Sequence, residues 1–296
     1  MMIGNLNMTN KTLDKFKSAY VPMPDLEEIT ARISKLVREH PPVKDGIGIL
    51  LIGQSGAGKT AFLRSLARRI AQEYLSEQVQ RPVILASMPS PCTPLAMSLV
   101  LRRSAGDWAK GGTATANLDV LEQLYVSLGV KLTCWDEVHN IGSDRVDLSI
   151  SKRFFLKRII NNLKGVWVFC GLPEAEVILR QDRELDRRIR ARFEIPQFHW
   201  EISPERHQFS LYLNRLDQIT GLERSGLGEA DLAARICSAS RGLRGIAYDL
   251  VDEARDIALQ EGTQKILLEH LSRAFLSYVA KGDHRVINPF SSDRFL

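Results

Sequence analysis

The sequence predicts an α/β fold, a parallel sheet flanked by helices, followed by a small all-helical domain. Three observations carry that expectation. Short apolar runs recur at residues 47–52, 83–86, 130–135, 166–170 and 193–195. Stretches of helical periodicity separate them, and strands alternating with helices specify parallel sheets. After Ser203 the strand signals stop, and helices are expected at about 204–219, 229–239, 243–259 and 264–280.

Each element has its own reason. Residues 1–20 are polar and mixed and read as an N-terminal arm. In LEEITARISKLVR, residues 26–38, Leu26, Ile29, Ile33, Leu36 and Val37 recur at helical spacing. HPPVKDG, residues 40–46, is turn chemistry. The uninterrupted apolar run at 47–52 suits a central strand buried on both faces. Residues 59–76 place Phe62, Leu63, Leu66 and Ile70 on one helix face, and further helices are expected at 94–103, 117–127, 151–163 and 174–191. The resulting organisation is an arm (1–20), a core (21–202), a helical lid (203–281) and a polar tail (282–296).

Composition excludes several classes. The chain has 296 residues, 44% of them hydrophobic and 25% charged, and a net charge of +5. No apolar stretch approaches the ~20 residues of a membrane span. The first residues lack an apolar core of signal-peptide length, so a cytoplasmic location is expected. Cys92, Cys134, Cys170 and Cys237 are too scattered for a zinc site or a disulfide framework and read as reduced thiols. The excess of basic residues leans only mildly toward a polyanionic partner.

Residues 53–60, GQSGAGKT, fit G-x-x-x-x-G-K-[ST] at every fixed position, between an apolar strand and an amphipathic helix. Glycines let the backbone turn tightly so that successive N–H groups point at a phosphate, and the following helix adds the positive end of its dipole. The candidate nucleotide-binding residues are Gly53, Gln54, Ser55, Gly56, Ala57, Gly58, Lys59, Thr60 and Ala61, with ATP and Mg²⁺ as ligands. Lys59 is expected to bridge the β- and γ-phosphates and Thr60 to ligate Mg²⁺. VKLTCWDEVHN supplies the acidic half of such a site. Asp136 at the strand end is the candidate metal holder and Glu137 the candidate general base. His139 reads either as a γ-phosphate sensor or as a surface histidine.

RQDRELDRRIRAR, residues 180–192, holds six arginines and three acids. Such a run can be a solvated helix face laced by i,i+4 pairs. Its place before the last strand also suits an arginine finger for a neighbouring subunit's nucleotide, with Arg192 and Arg188 as first candidates and Arg190 third. Arg244, in the first turn of a lid helix, could reach back over the nucleotide.

Together these motifs resemble AAA+ ATPases, and most closely the TniB/TnsC family of transposition ATPases, relatives of the target-DNA activator MuB. GQSGAGKT is similar to that family's Walker A, WDEVHN to its Walker B, and FCGLPEAEVILRQDRELDRRIRARFE to its fourth strand, next helix and finger segment. YVPMPDLEEI resembles the lead-in to the core. The resemblance implies a P-loop AAA+ core with a helical lid and Arg244 as sensor 2. It implies an ATPase that assembles as a ring or helical filament on double-stranded DNA and works with a DDE transposase and a TniQ-type targeting protein. The sensor-1 position departs from the family: Cys170-Gly171-Leu172-Pro173 lacks the usual Asn or Thr, which points to slow turnover. DNA contacts are expected from 102–115, through Arg103, Lys110 and Thr113, and from Lys152 and Arg153 after Walker B, through phosphates and without base reading. A helicase or replication loader, a nucleotide-switched scaffold that binds no DNA, and a small-molecule kinase are the rival readings.

Overall fold

A computed structural model of the chain describes residues 16, 19–41, 44–75, 79–108, 111–142, 149–279 and 287–291. They form two compact units. One comprises Pro24–Ser55 and Lys59–Ile195; the other comprises Gly56–Gly58 and Pro196–Leu296, with the described residues up to Met23.

The first unit runs α1 (Pro24–Glu39), β1 (Ile47–Ile52), α2 (Lys59–Glu73), β2 (Val83–Ser87), α3 (Pro94–Ser104), α4 (Ala114–Leu128) and β3 (Leu132–Asp136). A 3₁₀ turn (Val138–Gly142) follows, then α5 (Ile150–Leu163), β4 (Val166–Gly171), α6 (Glu174–Arg180), α7 (Arg183–Arg188) and β5 (Ile189–Glu194). The five strands form one parallel sheet in the order β2-β3-β4-β1-β5. Every residue of β3 and β4 is buried, because helices cover both faces of a parallel sheet. Trp167 anchors one face, with ring centroids 5.9 Å from Trp135, 6.1 Å from Phe169 and 6.3 Å from Tyr125.

The expected single helix over 174–191 is two helices, and the last strand begins at Ile189 instead of residue 193. Asp182 breaks the helix: its side chain accepts from the N–H groups of Glu184 and Leu185, which caps α7. The arginines of 187–192 have good helix propensity, which hid the two-residue alternation of Ile189, Ala191 and Phe193 against Arg190, Arg192 and Glu194. The pairing of β1 with β5 shifts between Gly48 and Ile49: Gly48 faces Ile189 and Ile49 faces Ala191. Arg190 is thus the extra residue of a bulge.

In the second unit α8 (Ser203–Ile219), α9 (Ala230–Ser240), α10 (Arg244–Gln260) and α11 (Leu268–Ala274) pack around Leu213, Ile236 and Leu250, and α11 continues into a π turn (Phe275–Val279). The last helix begins at Leu268, later than the residue 264 expected. Asp217, fully buried, organises the turn after α8 by accepting from the N–H groups of Ser225 and Gly226. The described ends of the chain dock here. Phe16 stacks on Tyr248 with 5.1 Å between centroids and lies 4.7 Å under the Arg255 guanidinium. Arg235 donates to the Pro289 carbonyl, and Phe290 meets Phe275 edge-on. Among the described residues no helix is long and apolar enough to cross a membrane.

Lys157 of α5 fixes the start of α7, with its Nζ 2.9 Å from Asp182 and 2.8 Å from Glu184. Hydrogen bonding to Glu184 and then Asp182 raises the lysine's pKa. Burial pushes the Asp182 carboxyl up, but Lys157 and the backbone N–H groups of Leu185 and Glu184 outweigh it and hold the group below its usual range. The Asp182 contribution is complete above its unfolded pKa of ~3.9 and is lost as pH falls through the depressed folded value. The Lys157 contribution is complete below ~10.4 and is lost as pH rises through the raised folded value. Lys157→Met should therefore lower the urea midpoint at pH 7, with a smaller difference from wild type at pH 3. Equal differences at both pH values would show that the cluster does not act through these ionisations.

Candidate nucleotide-binding site

The register of the sheet brings the ends of β1, β3 and β4 to one edge. Ile52 lies opposite Gly171, and Trp135 opposite Phe169. The glycine-rich loop leaves β1 there. Gly53 N–H donates to the Gly171 carbonyl at 3.2 Å, tying the start of the loop to the end of β4. Gly56 and Gly58 have φ of +81° and +91°, a left-handed backbone that side-chain-bearing residues rarely adopt. Lys59 and Thr60 open α2. The Lys59 ammonium is folded over the loop, donating to the carbonyls of Gly53 (2.8 Å) and Gln54 (2.9 Å). Ala57 is buried, whereas Gln54, Ser55, Thr60 and Ala61 are exposed.

Thr60 Oγ1 donates to Asp136 Oδ2 at 2.7 Å, joining the start of α2 to the end of β3. Asp136 Oδ1 accepts the N–H of Glu137 at 2.9 Å. Glu137 has a φ of +58°, so the chain leaves the strand abruptly. Its carboxylate is 43% exposed and lies 3.2 Å from His139 Nε2. Cys170 is fully buried, near the Asp136 carboxylate. Burial, and then the neighbouring carboxylate, push that thiol well above its ordinary range. The hydroxyl of Thr60 and the carboxylate of Asp136 are hard oxygen donors facing one another, a set that suits Mg²⁺.

The other candidate residues lie elsewhere. Arg192 is held by Asp186 and by Glu176, its Nε 3.3 Å from the latter. Arg188 lies 3.7 Å from both Asp45 and Glu184. Arg190 is exposed, and among the described residues it makes no ion pair. Arg188 and Arg190 line a cleft of about 740 Å³ together with Arg187, Lys44, His40 and Asp45. Arg244 is buried within the second unit, its guanidinium 4.5 Å from the Phe198 ring centroid, and its carbonyl accepts from Tyr212. The N–H of the next residue, Gly245, donates to the Gly56 carbonyl at 2.8 Å.

Of the expected DNA contacts, Arg103 is exposed at the end of α3, and Thr113 caps α4 by accepting from Ala116 N–H. Lys152 Nζ donates to the Ile141 carbonyl at 2.8 Å, and Arg153 is half-buried. Lys110 lies outside the described residues. Two features of this loop are not evident from the sequence. Arg102 is buried and binds Asp107 and Asn117 beneath the loop, while Trp108 stands 74% exposed on it. A doublet of arginines in sequence does not disclose which of the two is turned inward.

A model of the bacterial TniB protein family matches residues 15–200. The chain belongs to the TniB family. No curated protein matches it. Among solved structures, the Aeropyrum pernix ORC2 protein in its ADPNP–ADP complexes gives a TM-score of 0.64 at 15% identity, covering 90% of this chain and 71% of that one. The Aeropyrum pernix ORC1 protein in complex with DNA gives 0.65 at 17%, covering 87% and 66%. The Thermotoga maritima RuvB Holliday junction branch migration motor gives 0.53 at 16%, covering 90% and 72%. These likenesses show the fold of this TniB-family chain, a P-loop AAA+ ATPase fold.

The surroundings of the cysteines yield a chemical prediction. Burial raises Cys134 as well as Cys170, and Cys237 is pushed up to about 11. Since only the thiolate reacts readily, iodoacetamide at pH 8 should leave these three thiols unmodified in the native protein and label them once it is unfolded. Native labelling at Cys170, read by peptide mass spectrometry, would contradict its complete burial.

Proposed function

We propose that this protein is an ATP-hydrolysing regulator of DNA transposition that assembles on duplex DNA. The observation that carries the ATPase reading is the Thr60–Asp136 hydrogen bond beside Lys59, on a loop whose backbone is shaped for phosphate. ATP binds along Gly53–Thr60 and Ala61, with its phosphates facing backbone N–H groups and the Lys59 ammonium. Thr60 and Asp136 hold Mg²⁺, which neutralises phosphate charge when bound. Glu137 takes a proton from the attacking water as its oxygen bonds to the γ-phosphorus. The bond from that phosphorus to the β–γ bridging oxygen breaks, and ADP keeps the electron pair. Arg244, at the start of a helix in the domain following the core, serves as sensor 2, with the core taken as 21–202 and the lid as 203–281. The finger is drawn from the cleft at Arg188 and Arg190, since Arg192 is occupied by Asp186 and Glu176. Arg103, Lys110 and Thr113 meet DNA phosphates, with Trp108 exposed among them; Lys152 is committed to Ile141 and braces the turn after Walker B.

Membership of the TniB family favours transposition over a helicase-loading role. The protein would then act in the cytoplasm, on DNA, with a DDE transposase and a TniQ-type protein as partners. Electron microscopy with duplex DNA and a non-hydrolysable ATP analogue should show rings or filaments that dissolve as salt rises. Absence of any assembly on DNA would favour a nucleotide-switched scaffold.

Two sets of variants test the chemistry. Lys59→Ala should lose binding of a fluorescent ATP analogue, whereas Glu137→Gln should bind it and turn over ATP at least ~10²-fold more slowly. Unchanged turnover would remove Glu137 as the base. Arg190→Ala should lower turnover in the assembled state more than Arg192→Ala does; the reverse order would return the finger to Arg192.

A further inference from the structure

We infer that His139 is a positioning residue for Glu137, linking it to the end of β4 in place of a sensor-1 side chain. This rests on the ATPase reading above. The geometry is two-sided. The backbone N–H of Leu172 donates to His139 Nδ1 at 3.3 Å, and His139 Nε2 lies 3.2 Å from Glu137 Oε2. A backbone N–H can only donate, so Nδ1 must be the unprotonated acceptor. The ring proton of the neutral imidazole then sits on Nε2 and points at the glutamate. The backbone dictates the tautomer, and the tautomer makes the ring a donor to the carboxylate.

The surroundings are shaped for this approach. A Cβ on Gly171 would stand 3.2 Å from the His139 backbone nitrogen and 3.4 Å from Nδ1, so the absent side chain leaves the ring its place against β4. The 3₁₀ turn Val138–Gly142 starts directly after Glu137 and carries the imidazole back over it. The segment Cys170-Gly171-Leu172-Pro173 brings no Asn or Thr side chain to the strand end. What it brings is a main-chain N–H at Leu172 and a buried thiol. His139 converts that N–H into an oriented donor for Glu137. Carboxylate direction is then coupled to the position of β4.

The test separates positioning from structure. In His139→Ala, kcat for ATP hydrolysis should fall by about 10- to 100-fold, the scale of a misplaced catalytic group. The dissociation constant for a fluorescent non-hydrolysable ATP analogue should stay within about 2-fold. His139→Gln keeps an amide donor toward Glu137 and should recover most of the rate. Unchanged kcat in His139→Ala would overturn the proposal. So would a parallel loss of rate and analogue binding that Gln does not repair, which marks a structural role. The second measurement needs no turnover: long-range ¹H–¹⁵N spectra of the histidine rings at pH 8, with the His139 signal assigned by its loss in His139→Gln. The Nε2–H tautomer supports the link even if the wild type hydrolyses no ATP, an outcome that would sink the ATPase reading instead. An Nδ1–H tautomer overturns it.

Discussion

The hydrogen bond from Thr60 to Asp136 is the contact on which the site depends, and it exists because parallel strands end together. β1 delivers the loop and β3 the carboxylate, yet the two strands are not neighbours; β4 lies between them. The β1–β4 and β3–β4 registers must therefore both hold for a hydroxyl on α2 to meet a carboxylate on β3 at 2.7 Å. A slip of one residue in either would turn Asp136 to the opposite face of the sheet. The placement of the aromatics on one face of β4 guards against such a slip. Trp167 and Phe169 must pack on the same side as Trp135 and Tyr125.

The arginine-rich segment is governed by acids, not by its own net charge. Asp182 stops one helix and starts the next, and Lys157 holds it there. Asp186 and Glu176 take up Arg192. Ion pairs this exposed stabilise a fold by roughly 0–1 kcal/mol each, so their consequence is orientational. They leave Arg190, displaced from the strand rhythm by the bulge, to face the cleft. The bulge and the alternating charges also blunt β5, an edge strand whose outer hydrogen-bonding groups would otherwise invite pairing with another chain.

Much of this was legible in the sequence because each signal was local. The run at 47–52 and the loop GQSGAGKT are contiguous, and β1 and α2 begin where their residues say they should. The five strands and the helical C-terminal part were readable for the same reason. Where local signals compete, the sequence pattern misleads. The helix formers of 183–192 masked the strand pattern of Ile189, Ala191 and Phe193, and one capping aspartate outweighed them. Contacts between distant segments were not legible at all. Nothing near Arg102 distinguishes it from Arg103, because Asn117 and Asp107 reach it only in three dimensions. His139 reads two ways from the sequence, since the N–H that fixes it belongs to Leu172, just past the end of β4.

The adjacent acids show how one backbone torsion separates two surroundings. Asp136 is the last residue of a buried strand, 7% exposed and hydrogen-bonded on both oxygens. Had the strand continued, Glu137 would point to the other side of the sheet, among the helices. Its φ of +58° ends the strand instead and turns the side chain out to 43% exposure. A left-handed backbone costs a residue with a Cβ about 1–2 kcal/mol. The N–H that this turn aims back at Asp136 Oδ1 offsets part of that cost, a bond to an ionised acceptor being among the stronger ones. The same bond satisfies the oxygen of Asp136 that Thr60 does not use. Strain at Glu137 and saturation of Asp136 are thus one arrangement. It leaves the first carboxylate fixed at the strand edge and the second open to water, which are the different surroundings that the proposed metal holder and proton acceptor require.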